Sequence, residues 1–277
     1  MSEIALLVHT CDRYKFLYKG FNIFFNKYWD FKIPTTNYFA TEKEQIKLNS
    51  FITIHSGVGE WSDRLICLLS KIKEDYIIYM QEDMWLSKRV SSEFFTELFE
   101  YVREHDVDCI KLHSSEVYST TETGTYIGGM ALSIVDPEKS NFLMSHQISL
   151  WKKSFLSEQL KSNEHPWRNE RRGSKRLKRT KPLMYQIDCF SENGKGAINK
   201  NLSDSLRSEY FTVSVNASLD FRVFIFIQML RTSYLEREYC QDLIEHFEKG
   251  LTHDCAAPQK KIDFIKRSKA FFKQAFS

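Results

Sequence analysis

Six cysteines are scattered through this 277-residue chain (Cys11, Cys67, Cys109, Cys189, Cys240, Cys255), and none falls in a C-x-x-C pair. That spacing excludes a zinc ribbon and a disulfide framework and fits reduced thiols in an intracellular protein. No apolar run approaches the ~20 residues needed to span a bilayer. The first apolar run, Ile4–Val8, follows Glu3 and is too short for the core of a signal peptide. Net charge is only +3, too weak to argue for nucleic acid. There is no internal repeat and no long low-complexity segment. The first apolar run leads into "HTCDRY" and not into a glycine-rich phosphate loop. What these absences leave is a soluble globular protein without a transmembrane segment. It is expected in the cytoplasm (or in host cytoplasm if viral), with contact at a membrane surface left open.

What is present is an ordinary globular composition, 42% hydrophobic and 27% charged. Rings are plentiful, with 22 Phe and 13 Tyr; they fill large cores and also line sugar and nucleotide sites. Ile4–Val8 reads as a buried strand, Phe16–Tyr28 as a helix, and Asn37–Ala40 and Phe51–His55 as strands. Gly57 and Gly59 mark a turn, after which Ser62 and Asp63 are placed to cap a helix over Arg64–Lys73. Tyr76–Met80 is too short and too continuously apolar for a surface helix and reads as a strand. Ser91-Ser92 opens a helix to about His105, and Asp108–His113 is a strand. Such alternation predicts an α/β fold, a mixed, mainly parallel sheet flanked by helices.

Ligands of such sheets sit beyond the carboxyl ends of the strands. Three polar clusters fall there: Thr10-Asp12-Arg13, Glu82-Asp83 and His113-Ser114-Ser115. After residue 115 the alternation weakens. Tyr126–Val135 is a candidate strand opening at Gly128-Gly129, and Ser145–Leu160 reads as a strand end followed by a helix. From Phe211 onward strand–helix alternation stops; Ala217–Glu248 reads as helical, and Ile262–Phe276 is a basic, amphipathic tail.

The stretch "KEDYIIYMQEDMWLSKR" places two adjacent carboxylates, Glu82 and Asp83, at the end of an apolar strand. A carboxylate buried there costs desolvation energy unless something compensates. Mg²⁺ or Mn²⁺ compensates well, since each prefers hard oxygen ligands and can bridge a carboxylate to a diphosphate. The competing reading is that the pair caps a turn or meets a nearby base. Further on, "RNERRGSKRLKRTK" (Arg168 to Lys181) holds eight basic residues around a single acid, Glu170. It reads as a mobile loop clamping a diphosphate, as a solvated basic loop, or as a nucleic-acid contact. Lys195 lies in a glycine-containing segment that could approach a phosphate.

Taken together, these pieces resemble a known family. "EWSDRLICLLSKIKEDYIIYMQEDMWL" is similar to the first half of a nucleotide-sugar-dependent glycosyltransferase of the GT-A type, where a hydrophobic strand ends in an Asp-x-Asp-like motif. "SHQISLWKKSFL" followed by "HPWRNERRGSKR" resembles the acceptor half, and "IALLVHTCDRY" the opening strand and nucleotide-binding loop. Similar small enzymes build surface glycans in bacteria and in large algal viruses, a xylosyltransferase among them. The resemblance covers roughly residues 4 to 200. It implies a GT-A (Rossmann-like) catalytic domain over 1–215, with a nucleotide-sugar half (1–115) and an acceptor half (116–215), and a C-terminal helical extension over 216–277. Those last helices would buttress the core or form a homodimer contact.

The resemblance also implies roles. Thr10, Asp12, Arg13, Asp63, Arg64, Glu82 and Asp83 would bind the donor, with Asp83 as the metal ligand. Gln81 stands where the family has its first Asp, which puts metal dependence in doubt. Glu170 would be the general base that deprotonates an acceptor hydroxyl in an inverting displacement. His146 and Trp167 would contact the acceptor, and Arg171 and Lys195 the phosphates. Local alternatives stand beside these: a helix-capping role for Asp12 and Asp63, charge neutralisation by Glu170, and plain packing for Trp167. The implied reaction moves a sugar from a nucleotide-sugar, a UDP-sugar such as UDP-xylose, to a hydroxyl of an oligosaccharide or glycoconjugate, with Mn²⁺ or Mg²⁺. The alternatives are a sugar-phosphate nucleotidyltransferase, or a non-enzymatic nucleic-acid-binding module using residues 168–181.

Overall fold

The computed structural model describes residues 3–195 and 206–256. In chain order the strands are β1 Ile4–His9, β2 Thr36–Thr41, β3 Ile52–His55, β4 Tyr76–Met80, β5 Met84–Leu86, β6 Cys109–His113, β7 Thr120–Ile127, β8 Met130–Val135, β9 Ser149–Lys152, β10 Met184–Glu192, β11 Ser208–Thr212, β12 Ser214–Val215 and β13 Ser218–Leu219. The α-helices are α1 Lys15–Tyr28, α2 Trp61–Lys71, α3 Ser92–His105, α4 Lys153–Gln159, α5 Pro166–Thr180, α6 Val223–Leu230 and α7 Arg237–Glu248.

The main sheet runs β3-β2-β1-β4-β9-β6-β10-β11-β5. The first four of these strands are mutually parallel, with Val8 opposite Met80. β9 lies antiparallel between β4 and β6, and β10 and β11 resume the parallel direction. This is the mixed, mainly parallel α/β sheet that the sequence predicts. The chain leaves β1 toward β2 and β3, then returns to the other side of β1 as β4. Strand order therefore reverses between β1 and β4, and sheets of this kind take their ligands in the crevice beyond the carboxyl ends at such a point.

Period-2 alternation sends successive side chains to opposite faces. Leu6 and Val8 of β1, Ile78 and Met80 of β4, and Ile110 and Leu112 of β6 pack on one face with α1, α3, α6 and α7. Ala5, Leu7, Ile77, Tyr79 and Cys109 face the other side, against α2, α4 and α5. Phe226, Ile227, Tyr239 and Leu243 belong to the same core as α1, so α6 and α7 complete the first helical layer.

Several expectations change. The reading of Tyr126–Val135 as one strand gives way to a hairpin of β7 and β8. Its turn is Gly128-Gly129, at φ 54° and 77°, values that favour glycine. The helix expected at Arg64 starts three residues earlier, at Trp61, and its N-cap, Glu60, makes no side-chain cap bond. The basic run 168–181 is not a loop but the body of α5. The segment expected to be helical from Ala217 first forms the β12–β13 hairpin, and α6 and α7 follow as separate helices. The tail Ile262–Phe276 lies outside the described residues. No helix among the described residues is long and apolar enough to cross a membrane.

Candidate active site

The acidic pair sits at the carboxyl end of β4, in the crevice where strand order reverses. Its backbone is fixed from three directions. Met84 N–H donates to Gln81 O at 3.1 Å, the indole Nε1 of Trp85 to Glu82 O at 3.0 Å, and Val213 N–H to Asp83 O at 2.9 Å. Trp85 is fully buried and β5 pairs with β11, so the turn is anchored in the core.

The side chains meet only backbone N–H groups and the charges of Arg64 and Arg222. Glu82 is buried; desolvation first, then the charge of Asp83, holds its pKa well above the carboxylate range, opposed by its own and Cys11's backbone N–H and by Arg64. Burial pushes Asp83 up to about 7, opposed by its own N–H and by Arg222. Asp83 Oδ1 is buried and has no hydrogen-bond partner among the described residues. Arg64 is buried beside them, donating from Nη1 to Thr10 O at 2.9 Å and lying 3.6 Å from Glu42, while its Nε is unpartnered.

The donor set tests the implied cation. No group of three or more His, Cys, Asp and Glu side chains suited to a metal occurs among the described residues. A cage made by protein alone is therefore not built here. One or two carboxylates with substrate phosphates is the usual Mg²⁺ arrangement, and a buried pair with a free oxygen fits it.

The other predicted donor residues divide. Asp12 accepts backbone N–H bonds from Glu42 at 2.9 Å, Lys43 at 2.8 Å and Glu44 at 3.1 Å. Its carboxylate ties the loop after β1 to the loop after β2, a role the sequence reading did not consider. Arg13 is half-exposed and paired with Asp254 at 2.8 Å. Thr10 Oγ1 is taken up by Tyr18 Oη at 2.6 Å and Ala40 O at 2.7 Å. Asp63 accepts from Ser162 Oγ at 2.6 Å and Asn163 N–H at 3.0 Å, and Ser62 Oγ accepts from Glu164 N–H at 2.9 Å. The residues expected to cap α2 instead hold the loop that leads into α5.

Helix α5 brings Glu170 to the same rim. β9 is antiparallel, so His146 and Gln147, just before it, lie level with the carboxyl ends of β4 and β6. His146 N–H donates to Glu170 Oε1 at 3.2 Å, and Met144 N–H to Ser174 Oγ at 3.1 Å. A Cβ on Gly173 would stand 2.6 Å from Met144 Cγ, so only glycine permits this approach. From the sheet side the wholly buried Lys111 donates to Ser145 O at 3.1 Å, its ammonium 4.5 Å from the Trp151 ring. Burial raises the Glu170 pKa, partly offset by the His146 N–H and the charge of Lys111.

Between Glu82 and Glu170 lies a box of rings: His9, Trp61, Tyr79 and His146. Trp61 is 4.3 Å from His146 and 5.6 Å from His9, whose Nδ1 bonds Tyr79 Oη at 3.1 Å. Burial lowers both imidazoles, His146 to about 3, so both are neutral. The Nε2 of each is unpartnered. Predicted His146 is thus part of the box, with His9, Trp61, Tyr79 and Lys111 as members that sequence reasoning missed. Sequence reasoning gives Trp61 no role, Tyr79 lies inside an apolar strand, and nothing local marks a strand lysine as buried.

Trp167 is exposed near His165, Arg171 is exposed on the outer face of α5, and Lys195 is exposed in the turn after β10. None of these three is brought against the acidic pair by any bond described here.

Among solved structures, S. aureus TarS 1–349 is similar over 97% of this chain and 78% of its own length, at 10% identity and a TM-score of 0.48. The same TarS fragment in complex with UDP is similar over 88% of this chain and 71% of its own, at 10% identity and TM-score 0.46. A Desulfovibrio desulfuricans G20 protein described as a nucleotide-diphospho-sugar transferase is similar over 90% of this chain and 96% of its own, at 9% identity and TM-score 0.43. No protein-family model and no curated protein matches the sequence.

Proposed function

We propose that this chain is a glycosyltransferase that moves a sugar from a nucleotide-diphosphate sugar to a hydroxyl of a glycan acceptor. One observation carries the reading: an acidic pair, Glu82 buried and Asp83 half-buried with one oxygen that is buried and unpartnered among the described residues, stands at the carboxyl end of a parallel strand where strand order reverses. A diphosphate brought there with a divalent cation supplies the missing charge. Asp83, helped by Glu82, would hold that cation, which would stabilise negative charge on the departing diphosphate. Arg64, buried and with a free Nε, would face the donor from β1's side of the crevice.

Glu170 serves as the base. A sugar hydroxyl with pKa ~15 is a poor nucleophile, and a positioned carboxylate gains ~10²–10⁴-fold by accepting its proton as the bond forms. Desolvation makes Glu170 more basic than a surface glutamate, the direction such a role needs. The new bond forms at the anomeric carbon as the bond to the diphosphate breaks, and a single base on the acceptor side gives inversion. UDP-sugars, UDP-xylose among them, are the first donors to test.

The test is a thermal-shift and turnover screen of UDP- and GDP-sugars with and without Mn²⁺. Stabilisation by one donor, lost in Asp83→Ala, with nucleoside diphosphate as the product, supports the reading. Pyrophosphate release from UTP and a sugar 1-phosphate, with no transfer from any nucleotide-sugar, would replace it with nucleotidyl transfer. Normal turnover in Glu170→Gln, or retention at the anomeric centre, would remove Glu170 as the base.

A further inference from the structure

The eight basic residues of the 168–181 run do not share one environment. Arg176 points inward and pairs with the buried Glu164 at 2.8 Å; Lys178 reaches Glu138 O at 3.2 Å, and Lys181 pairs with Glu138 at 2.8 Å. Arg168, Arg171, Arg172, Lys175 and Arg179 are all exposed, and none forms an ion pair among the described residues. At 3.6 residues per turn they fall on one side of α5, in a stripe about 16 Å long. The opposite side, with Asn169, Gly173, Ser174 and Leu177, is buried.

The same helix carries Glu170 on its inner edge. By helical rotation Trp167 lies about 60° from Glu170 and about 40° from Arg171, on the arc between the base and the basic stripe. Trp167 is 54% exposed, with the His165 ring 5.3 Å from its own. A chain lying across α5 therefore meets five cations, then an aromatic surface, then Glu170. Exposed like charges so closely spaced repel one another and are relieved by a polyanion. A flat ring beside them suits the face of a sugar.

We propose that the outer face of α5 is the docking surface for an anionic acceptor glycan, one bearing phosphodiester, sulfate or carboxylate groups, which it leads past Trp167 to Glu170. This rests on the reading of the crevice as a glycosyltransferase site and adds the charge class of the acceptor. The cations hold the chain by charge with little demand on sequence, and Trp167 selects for a sugar ring.

The test uses the full chain and four labelled probes at equal ionic strength: a heparin octasaccharide, inorganic polyphosphate, single-stranded RNA, and vesicles containing phosphatidylserine. The octasaccharide is expected to bind, more weakly as salt rises. Binding should fall about tenfold or more in R168E/K175E/R179E. Trp167→Ala should weaken the octasaccharide several-fold and leave polyphosphate unchanged. A UDP-induced thermal shift, measured on the same charge-reversed protein, should persist, since these residues lie outside the crevice, and it also reports that the fold is intact. Unchanged octasaccharide binding in the charge-reversed protein overturns the proposal, as does equal loss of both polymers in Trp167→Ala. Tighter binding of RNA or vesicles than of the octasaccharide overturns it too and assigns the face to that class. Absence of any nucleotide shift in the wild type would instead sink the glycosyltransferase reading.

Discussion

Asp188 on β10 lies 2.7 Å from the guanidinium of Arg207, itself buried, and accepts a hydrogen bond from Ser114 Oγ at 2.9 Å. Asp83, at the end of β4, stands beside Glu82 and has a buried oxygen with no partner among the described residues. Burial still raises the Asp188 pKa, but the chain opposes it with the Ser114 hydroxyl and the adjacent Arg207 charge. Asp83 has only its own backbone N–H and the charge of Arg222, and burial outweighs both. Burial of a charge is costly, so the first arrangement is a structural device, and the second makes sense as a site completed by a cation and an anion from outside.

The largest effect that separates the two comes from removing the internal cation. Arg207→Ala should cost about 3–5 kcal/mol of stability, since it leaves Asp188 buried and alone. Asp83→Asn should do the opposite in the ligand-free protein at pH 8, leaving stability unchanged or raising it by about 1–3 kcal/mol while abolishing any cation-dependent response to nucleotide. Urea melts of both variants decide the matter, and a loss in Asp83→Asn as large as that in Arg207→Ala would make Asp83 a structural residue like Asp188.

A pH series sharpens the same contrast. Unfolded carboxylates lose their protons near pH ~4, whereas folded Asp83 keeps its proton to about 7 and Glu82 is raised as well. Above pH ~4 the folded state binds more protons than the unfolded one, so stability falls as pH rises through about 7 and goes on falling until Glu82 too has lost its proton. Mn²⁺ with nucleotide should flatten the fall by binding the deprotonated pair, and so should the double variant Glu82→Gln/Asp83→Asn. A ligand-free protein whose stability rises through this window would contradict the assignment.

The smallest effect concerns a third carboxylate. Gly173→Ala pushes α5 away from Met144, at a cost of about 1–3 kcal/mol, because the added methyl meets the stem of the methionine and not its flexible tip. Turnover should fall further than donor affinity, because Glu170 moves and the acidic pair does not. Equal changes in both would place Glu170 outside the reaction.

Much of this was legible in the chain. β1, α1, β4, α3 and β6 follow from local apolar periodicity, and two acids after an apolar strand marked the crevice. α5 was misread because its buried side is Asn169, Gly173, Ser174 and a lone leucine. Small and polar residues leave no 3.6-residue apolar period, so a helix that packs closely looks like a solvated run. β5 and β11 were hidden by brevity and by the distance between partners, Trp85 opposite Phe211. Asp12 and Asp63 looked like caps or ligand contacts because their partners, the backbone of 42–44 and 162–163, are remote in sequence.

The sequence by itself determined where strands and helices alternate, that the sheet is mainly parallel, and that acids stand at the end of β4, because periodicity and strand polarity are properties of neighbouring residues. Only the tertiary structure decided which acids are compensated. It inserted β9 between β4 and β6, set His146 against Glu170, buried Lys111 beneath them and gave Arg207 to Asp188 while leaving one Asp83 oxygen without a partner among the described residues. Whether a charge is burial's cost or a ligand's seat depends on what folds up against it, and those partners come from far along the chain.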